Sequence, residues 1–309
     1  MASNSETTVV QTIHFAGILT LVLKRVLASI ATLAALIFFV AVAVSLSARG
    51  GISALPQVLP DALQFSLSFI TGIAGGQLAG VEELRGLLAR SLGLLLAALM
   101  LALMLGLPLG ALAAVYRHRR FARGFLFVSF LGISMPSFFA AMLLIWLNVW
   151  VGRLLGIHIL PVYGFGWDAH MIIPTLVLAA IPTANIARLG YNALFDVLES
   201  DFIRTAHSKG LRPHRVFLVH AMRAAGVPLL TIIGVSIRLS LSILPVVEYI
   251  FNWRGLGLVL LQSIQTSNAT MAVTTLLPLA LTFMLVNILL ELLYATVDPR
   301  VRLEVGGTA

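Results

Sequence analysis

Apolar residues run through this chain in long blocks, separated by short polar segments that carry most of its charge. Six blocks come close to the ~20 residues that take a helix across the hydrocarbon core of a bilayer: 26–48, 91–115, 124–152, 171–187, 228–248 and 271–294. A further uncharged stretch, 62–81, has the same length but a different texture. Leu63, Gln64, Phe65, Ser66, Leu67, Ser68 and Phe69 alternate apolar and polar, the period-two pattern of a half-buried strand or a loop. Charge decides between seven spans and six. With 62–81 as a span, the Arg117–Arg120 cluster and the basic stretch 204–223 would both face outward, against the positive-inside rule.

The pattern therefore predicts an all-α membrane protein with six transmembrane helices, an external lobe between spans one and two, and both termini in the cytoplasm. On this reading 1–25 is a cytoplasmic N-terminal segment and 26–48 the first transmembrane helix. Residues 49–90 form the external lobe, 91–302 a five-helix core with a cytoplasmic loop at 188–226, and 303–309 a cytoplasmic tail. Small residues at Ser45–Ala48 resemble a signal-peptidase site, but the apolar run before them is longer than a signal h-region and reads as a retained span. A short external helix is expected between spans five and six, where Gln262, Gln265, Thr266, Ser267 and Asn268 break the apolar run.

Composition agrees with the pattern. Of 309 residues, 60% are hydrophobic and 10% charged, which describes a polytopic membrane protein instead of a soluble domain. The formal charge of +8 does not point to nucleic acid, because the basic residues punctuate apolar segments and form no continuous face. With no cysteine, neither a disulfide framework nor a cysteine-ligated metal site is available. The seven histidines lack H-E-x-x-H spacing and no G-x-S-x-G elbow occurs, so no catalytic residue and no metal site is expected and a membrane-embedded enzyme is disfavoured. A secondary transporter would carry inverted repeats with paired broken helices, and none is legible.

The segment from Asp196 to Pro228 has its own local logic. Asp196 and Glu199 stand at capping-box spacing and predict a helix start. Phe202 and Ala206 share a face at i, i+4, and Lys209 suits the negative end of the helix dipole. Gly210 can take the left-handed conformation that closes the helix, and Pro213 can open the next one. Two short helices joined by a sharp turn are expected here, leading into a span at Pro228. As a plain basic loop, the same segment is simply the cytoplasmic charge that fixes orientation.

Residue order takes the reading further. The run RTAHSKGL at Arg204–Leu211, followed by His220, Ala221 and Pro228, resembles the EAA loop of binding-protein-dependent ABC importer permeases, in the dipeptide, oligopeptide and nickel branch. GISMPSFF at Gly132–Phe139 is similar to that family's GxSxPxF signature, VVEYIFNWRGLG from Val246 to its VVExVFxxPGLG, and LLYATVDPRVR from Leu292 to its C-terminal LLYxxxDPRxR. The departures are Ala224 where the family often has Asn, Arg254 for its usual proline, Arg238 for a small residue, and no Gly-Asp-Pro after span one.

The resemblance implies a type I ABC importer permease fold, a subunit forming half of a translocation path in a bacterial inner membrane. It implies as partners a second homologous permease, one or two ABC ATPases and an external solute-binding protein. ATP and Mg would be bound by the ATPase, because this chain has no G-x-x-x-x-G-K-[ST] loop and carries no cofactor of its own. Phe202, Thr205, Ala206, Lys209 and Gly210 inherit the role of coupling to the ATPase. Arg238 and Glu248 are substrate-path candidates, since ionisable groups at membrane depth usually face a cavity or a partner. Arg238 either pairs with a substrate carboxylate or an acid on the partner permease, or it snorkels. Tyr163, Phe165 and Trp167 read either as part of the family's LP…G segment or as interfacial anchors. Peptides lead as substrate, with nickel or other metal chelates and amide conjugates as alternatives.

Overall fold

The computed structural model describes residues 27–49, 51–74, 81–157 and 159–297. The N-terminal segment with Lys24 and Arg25, and the tail with Arg300 and Arg302, lie outside the described residues. Among the described residues all regular structure is helical. Six helices are long and apolar enough to cross a membrane: Leu27–Ala48, Glu82–Val115, Ser137–Leu155, Ala169–Leu198, Gly226–Ile250 and Ala269–Tyr294.

The chain packs as two compact units. One comprises the residues up to Val81 together with those from Gln262 onward. It contains α1 (Leu27–Ala48), α2 (Leu55–Ala74) and α12 (Ala269–Val297). In α1 the buried residues Ile37, Ala41 and Val44 recur at helical spacing, leaving the rest of its surface apolar and exposed, as suits lipid. An ion pair of 2.8 Å between Arg49 and Asp61 ties the end of α1 to α2.

Here the alternation read as strand or loop is corrected. Residues 55–74 are a continuous helix whose buried positions Val58, Ala62 and Ser66 fall every fourth residue. The polar members of the alternating run are absorbed by the helix itself: Ser66 Oγ donates to the Ala62 carbonyl at 2.7 Å and Ser68 Oγ to that of Phe65 at 2.8 Å.

The other unit, Glu82–Leu261, holds α3 (Val81–Val115, its first residue apart), α4 (Arg120–Ser134), α5 (Ser137–Leu155) and α6 (Ile172–Leu198). Beyond α6 come the short helices of the polar segment and α10 (Gly226–Ile250). Helix α6 is the hub, packing along α10 and touching α4 and α5, and it buries residues around much of its circumference. Its crossing with α3 depends on small residues. A Cβ on Gly110 would sit 2.5 Å from the Ala187 carbonyl oxygen, and one on Gly106 2.9 Å from Ile186 Cβ. Without side chains at those two positions the backbones approach, the usual basis of helix contact in membranes. Around them Ala102, Ala114, Ile186, Leu194, Ala225, Leu229 and Ile232 form one apolar cluster from α3, α6 and α10.

Two span boundaries also differ from expectation. Helix α3 begins at Val81, about ten residues before the expected start, with Glu82 and Glu83 in the first turn where the helix dipole favours them. The expected third span, 124–152, is two helices. Met135 is extended at φ −80°, ψ 121° because the residue before a proline is driven out of the α region, and Pro136 opens α5. Pro136 thus divides the segment where a kink alone was anticipated.

Candidate coupling site

Helix α6 does not stop at Asp196, so the expected capping box is not formed. The helix continues to Leu198, and the break falls at Glu199 and Ser200. Arg117, just beyond α3, donates through Nε to Glu199 Oε1 at 2.7 Å and pins this break. The same guanidinium holds the Glu199 carboxyl below the usual carboxylate range. Extended Ser200 then opens α7 (Asp201–Ser208).

Helix α7 has two faces. Ile203 and Ala206 point inward onto Val216 and Ala221, with Val197, Leu198, Leu211 and Phe217 around them. Phe202, Thr205 and Lys209 are exposed on the other side. Phe202 and Ala206 lie one turn apart on α7 as their spacing predicts, but at the border of the two faces: Ala206 is buried beside Ile203, while Phe202 is exposed. Gly210 closes the helix as anticipated. At φ +73° its amide donates to the His207 carbonyl at 2.9 Å and the Leu211 amide to that of Ala206 at 3.4 Å, the paired bonds of a Schellman turn.

Beyond the turn, Pro213 is the first residue of α8 (Pro213–Arg215), followed by a π-helical stretch at Val216–Ala221 and α9 (Met222–Ala224). The wider π turn brings residues five apart onto one side, which is how both Val216 and Ala221 reach α7. The outcome is a short helix fastened along one face and at both ends. Its free face presents the Phe202 ring beside the Thr205 hydroxyl and the Lys209 ammonium group.

The two path candidates on α10 are not brought together. Arg238 is half-buried beside the exposed stripe Thr231, Val235, Leu239, Ser242, Val246 and Tyr249. Glu248 is fully buried. Its Oε2 accepts from the amides of Gly257 and Leu258, at 2.7 and 3.1 Å, at the start of α11 (Leu256–Gln265). Ser91 Oγ of α3 accepts from the Leu256 amide at 2.8 Å, and the Trp253 indole donates to the Arg90 carbonyl at 3.2 Å.

Phe165 and Trp167 meet Trp253 edge-to-face, with centroids 4.8 and 5.7 Å away, and the Arg90 guanidinium lies 4.6 Å above the Phe165 ring. Phe165 is thereby packed within the chain, whereas Tyr163 is exposed. Sequence reasoning did not single out Arg90, Ser91 or Trp253. Their partners lie more than 160 residues away, beyond the reach of any spacing rule.

Comparison with known proteins places this geometry. Residues 106–303 match the family described as "Binding-protein-dependent transport system inner membrane component", over well more than half of the chain. The di/tripeptide transport system permease protein DppB of Pseudomonas aeruginosa (strain UCBPP-PA14) is 36% identical over 267 residues, covering 76% of this chain and 80% of that protein. The dipeptide transport system permease protein DppB of Escherichia coli (strain K12) is 37% identical, covering 62% of this chain and 65% of that one. The glutathione transport system permease protein GsiC of the same strain is 36% identical, covering 62% and 61%. Among solved structures, a chain of the MetNI methionine ABC transporter in inward-facing form superposes with a TM-score of 0.55 at 20% identity, over 70% of this chain and 96% of that one, a likeness of fold. With six membrane helices, a matching permease fold and relatives that are peptide-transport permeases, this chain belongs to the family of binding-protein-dependent transport system inner membrane components.

Proposed function

We propose that this chain forms half of the translocation path of an ATP-driven importer for short peptides or peptide-like amides. A second, homologous permease supplies the other half, and one or two ABC ATPases dock on the face that carries α7. An external binding protein delivers the solute at the opposite face. Both termini lie in the cytoplasm, and ATP with Mg binds to the ATPase. The substrate class follows the relatives, which are permeases for dipeptides, di/tripeptides and glutathione.

The observation that carries the coupling role is the division of labour on α7. Ile203 and Ala206 fasten it to the chain, while Phe202, Thr205, Lys209 and the Gly210 turn remain exposed for a partner. A helix held in this way transmits a push as a rigid lever into α8 and α10. ATP-driven closure of the ATPases then biases the permease between inward- and outward-open states through its different affinity for the two. On α10, Arg238 lies beside the exposed stripe, and we assign it to a peptide carboxylate because an ionisable group at membrane depth usually faces a pathway or a partner.

Purification from native membrane in mild detergent, followed by mass spectrometry of stoichiometric partners and ATP-dependent uptake in proteoliposomes, tests the proposal. A co-purifying ATPase with a phosphate loop, a second permease and uptake of labelled di- or tripeptides are expected. A stable homo-oligomer of this chain alone, transporting without ATP, would overturn it.

A further inference from the structure

Glu248 is a buried carboxylate that does not line an open path. It sits at the end of α10, one short turn before α11, and its surroundings explain why the segment reads Glu248-Tyr-Ile-Phe-Asn-Trp-Arg-Gly-Leu-Gly. The Trp253 amide returns to the Glu248 carbonyl at 2.8 Å, with Asn252 left-handed at φ 51°, so the chain doubles back on itself. The side chain then takes two amides at the positive end of α11, where a carboxylate is favoured by charge as well as by hydrogen bonding.

The approach is close enough to exclude side chains. A Cβ on Gly255 would lie 2.4 Å from Glu248 Oε1 and 2.5 Å from Ser91 Oγ, and one on Gly257 2.4 Å from Pro245 Cα. Two further segments fasten onto this turn. Helix α3 contributes Ser91 Oγ to the Leu256 amide and the Arg90 carbonyl to the Trp253 indole, and Arg90 Nη1 reaches the Arg254 carbonyl at 3.4 Å. The loop before α6 contributes the Gly164 amide to the Phe251 carbonyl at 2.9 Å, and packs Phe165 and Trp167 edge-to-face against Trp253. That loop is itself fixed by Asp168, which accepts from the His170 amide at 3.0 Å and lies 2.7 Å from its Nδ1.

We propose that Glu248 is a positioning residue that locks the α10–α11 turn to α3 and to the 163–167 loop, so that these segments travel as one block during transport. This rests on the importer reading above, with the block at the face opposite α7. Every tie converges on a turn held by Glu248, and the glycines leave no slack around it. A block of this kind carries motion from α10 to α3 without loss.

The absence of native cysteine makes the test direct. Tyr163 and Asn252 are exposed and flank the Gly164–Phe251 backbone bond. In the assembled transporter with cysteine-free partners, Tyr163→Cys with Asn252→Cys is bridged by a short bis-methanethiosulfonate and uptake is measured in proteoliposomes. Uptake by the bridged form at the rate of its reduced form is expected. Loss of uptake on bridging, restored by reduction, would mean that the loop and the turn separate in each cycle and would overturn the proposal.

Glu248→Ala and Glu248→Gln give an independent reading through the ATP hydrolysed per solute imported. Ala is expected to raise this ratio, with Gln restoring it because its carbonyl oxygen still accepts the two amides. A merely structural role lowers hydrolysis and uptake together and leaves the ratio unmoved, which would also overturn the proposal. Failure of the importer reading is distinguishable, since the unsubstituted assembly would then show no ATP-dependent uptake at all. The bridged pair keeps Glu248 and decides by itself where Glu248→Ala does not assemble.

Discussion

The neighbours Phe202 and Ile203 give the sharpest separation of coupling from folding. Phe202 is 49% exposed and Ile203 2% exposed, successive residues of a short helix pointing about 100° apart. Truncating Phe202 to Ala removes little from the folded chain, where an exposed substitution typically changes stability by no more than ~0.5 kcal/mol. If its ring fills a cleft of the ATPase, its loss costs about 2–4 kcal/mol of docking, the range of an aromatic hot spot. At 1.4 kcal/mol per tenfold, that is roughly 30- to 1000-fold weaker association. Ile203→Ala acts differently. It opens a cavity against Val216 and Ala221 and costs about 2–5 kcal/mol of local packing, so α7 loosens on its own chain. Association with the ATPase is measured by titrating purified ATPase against the permease pair in nanodiscs, and thermal stability of the chain is followed separately. Phe202→Ala is expected to lose association at unchanged melting temperature, and Ile203→Ala to lower both. Full association and normal uptake by Phe202→Ala would refute the docking role of this face.

Four further outcomes follow from the geometry. Gly110→Val puts a side chain 2.5 Å from the Ala187 carbonyl oxygen, which cannot give way as a side chain can, and should cost about 3 kcal/mol, the upper end for overpacking, read as lost yield and melting temperature in detergent. Gly210→Ala has open space around it but a left-handed backbone, so its cost of about 1–2 kcal/mol falls on the turn alone, and coupled ATP hydrolysis should drop while expression holds. Glu199 is held below its ordinary range by Arg117, so the pair contributes stability above the unfolded carboxylate value of about 4.3 and loses it as pH falls through the lower folded value; Glu199→Gln should flatten that acid limb in a pH series of melting temperatures. Arg238→Ala should raise KM about 10- to 100-fold for peptides with a free C-terminal carboxylate and leave C-terminally amidated ones unchanged, from the ~1.5–3 kcal/mol of a charged hydrogen bond; an equal effect on both would remove Arg238 from substrate contact.

Much of the fold was legible because bilayer crossing imposes a length and a polarity that a single sequence displays openly. The charge rule predicts six spans, and among the described residues six helices are long and apolar enough to cross a membrane. The strand-like alternation misled because Ser and Thr hydroxyls bond carbonyls within their own helix, as Ser66 does, so a polar residue need not mark a solvent face. The capping box failed at Asp196 because α6 gains more by continuing to Leu198, within reach of the Ile203 and Ala206 cluster, than by stopping.

In the candidate site, the Gly210 turn and the Pro213 restart were readable as local backbone chemistry. The face occupied by Phe202 was not, because it depends on Val216 and Ala221 arriving through a π turn that no spacing rule anticipates. Glu248 was recognised as an expensive group, but its partners at Gly257 and Leu258, and Ser91 on the neighbouring Leu256 amide, come from a tertiary meeting of α3, α10 and α11.

The most direct test of the coupling claim uses Thr205→Cys, which gives this cysteine-free chain a single thiol on the exposed face of α7. Native membranes are treated with a short thiol-to-amine cross-linker and the adduct is identified by mass spectrometry. The account predicts one dominant adduct, with an ATPase that carries a phosphate loop, formed in the presence of nucleotide. An adduct with the external binding protein, or a thiol that stays fully reactive with no adduct in membranes active for uptake, would contradict it.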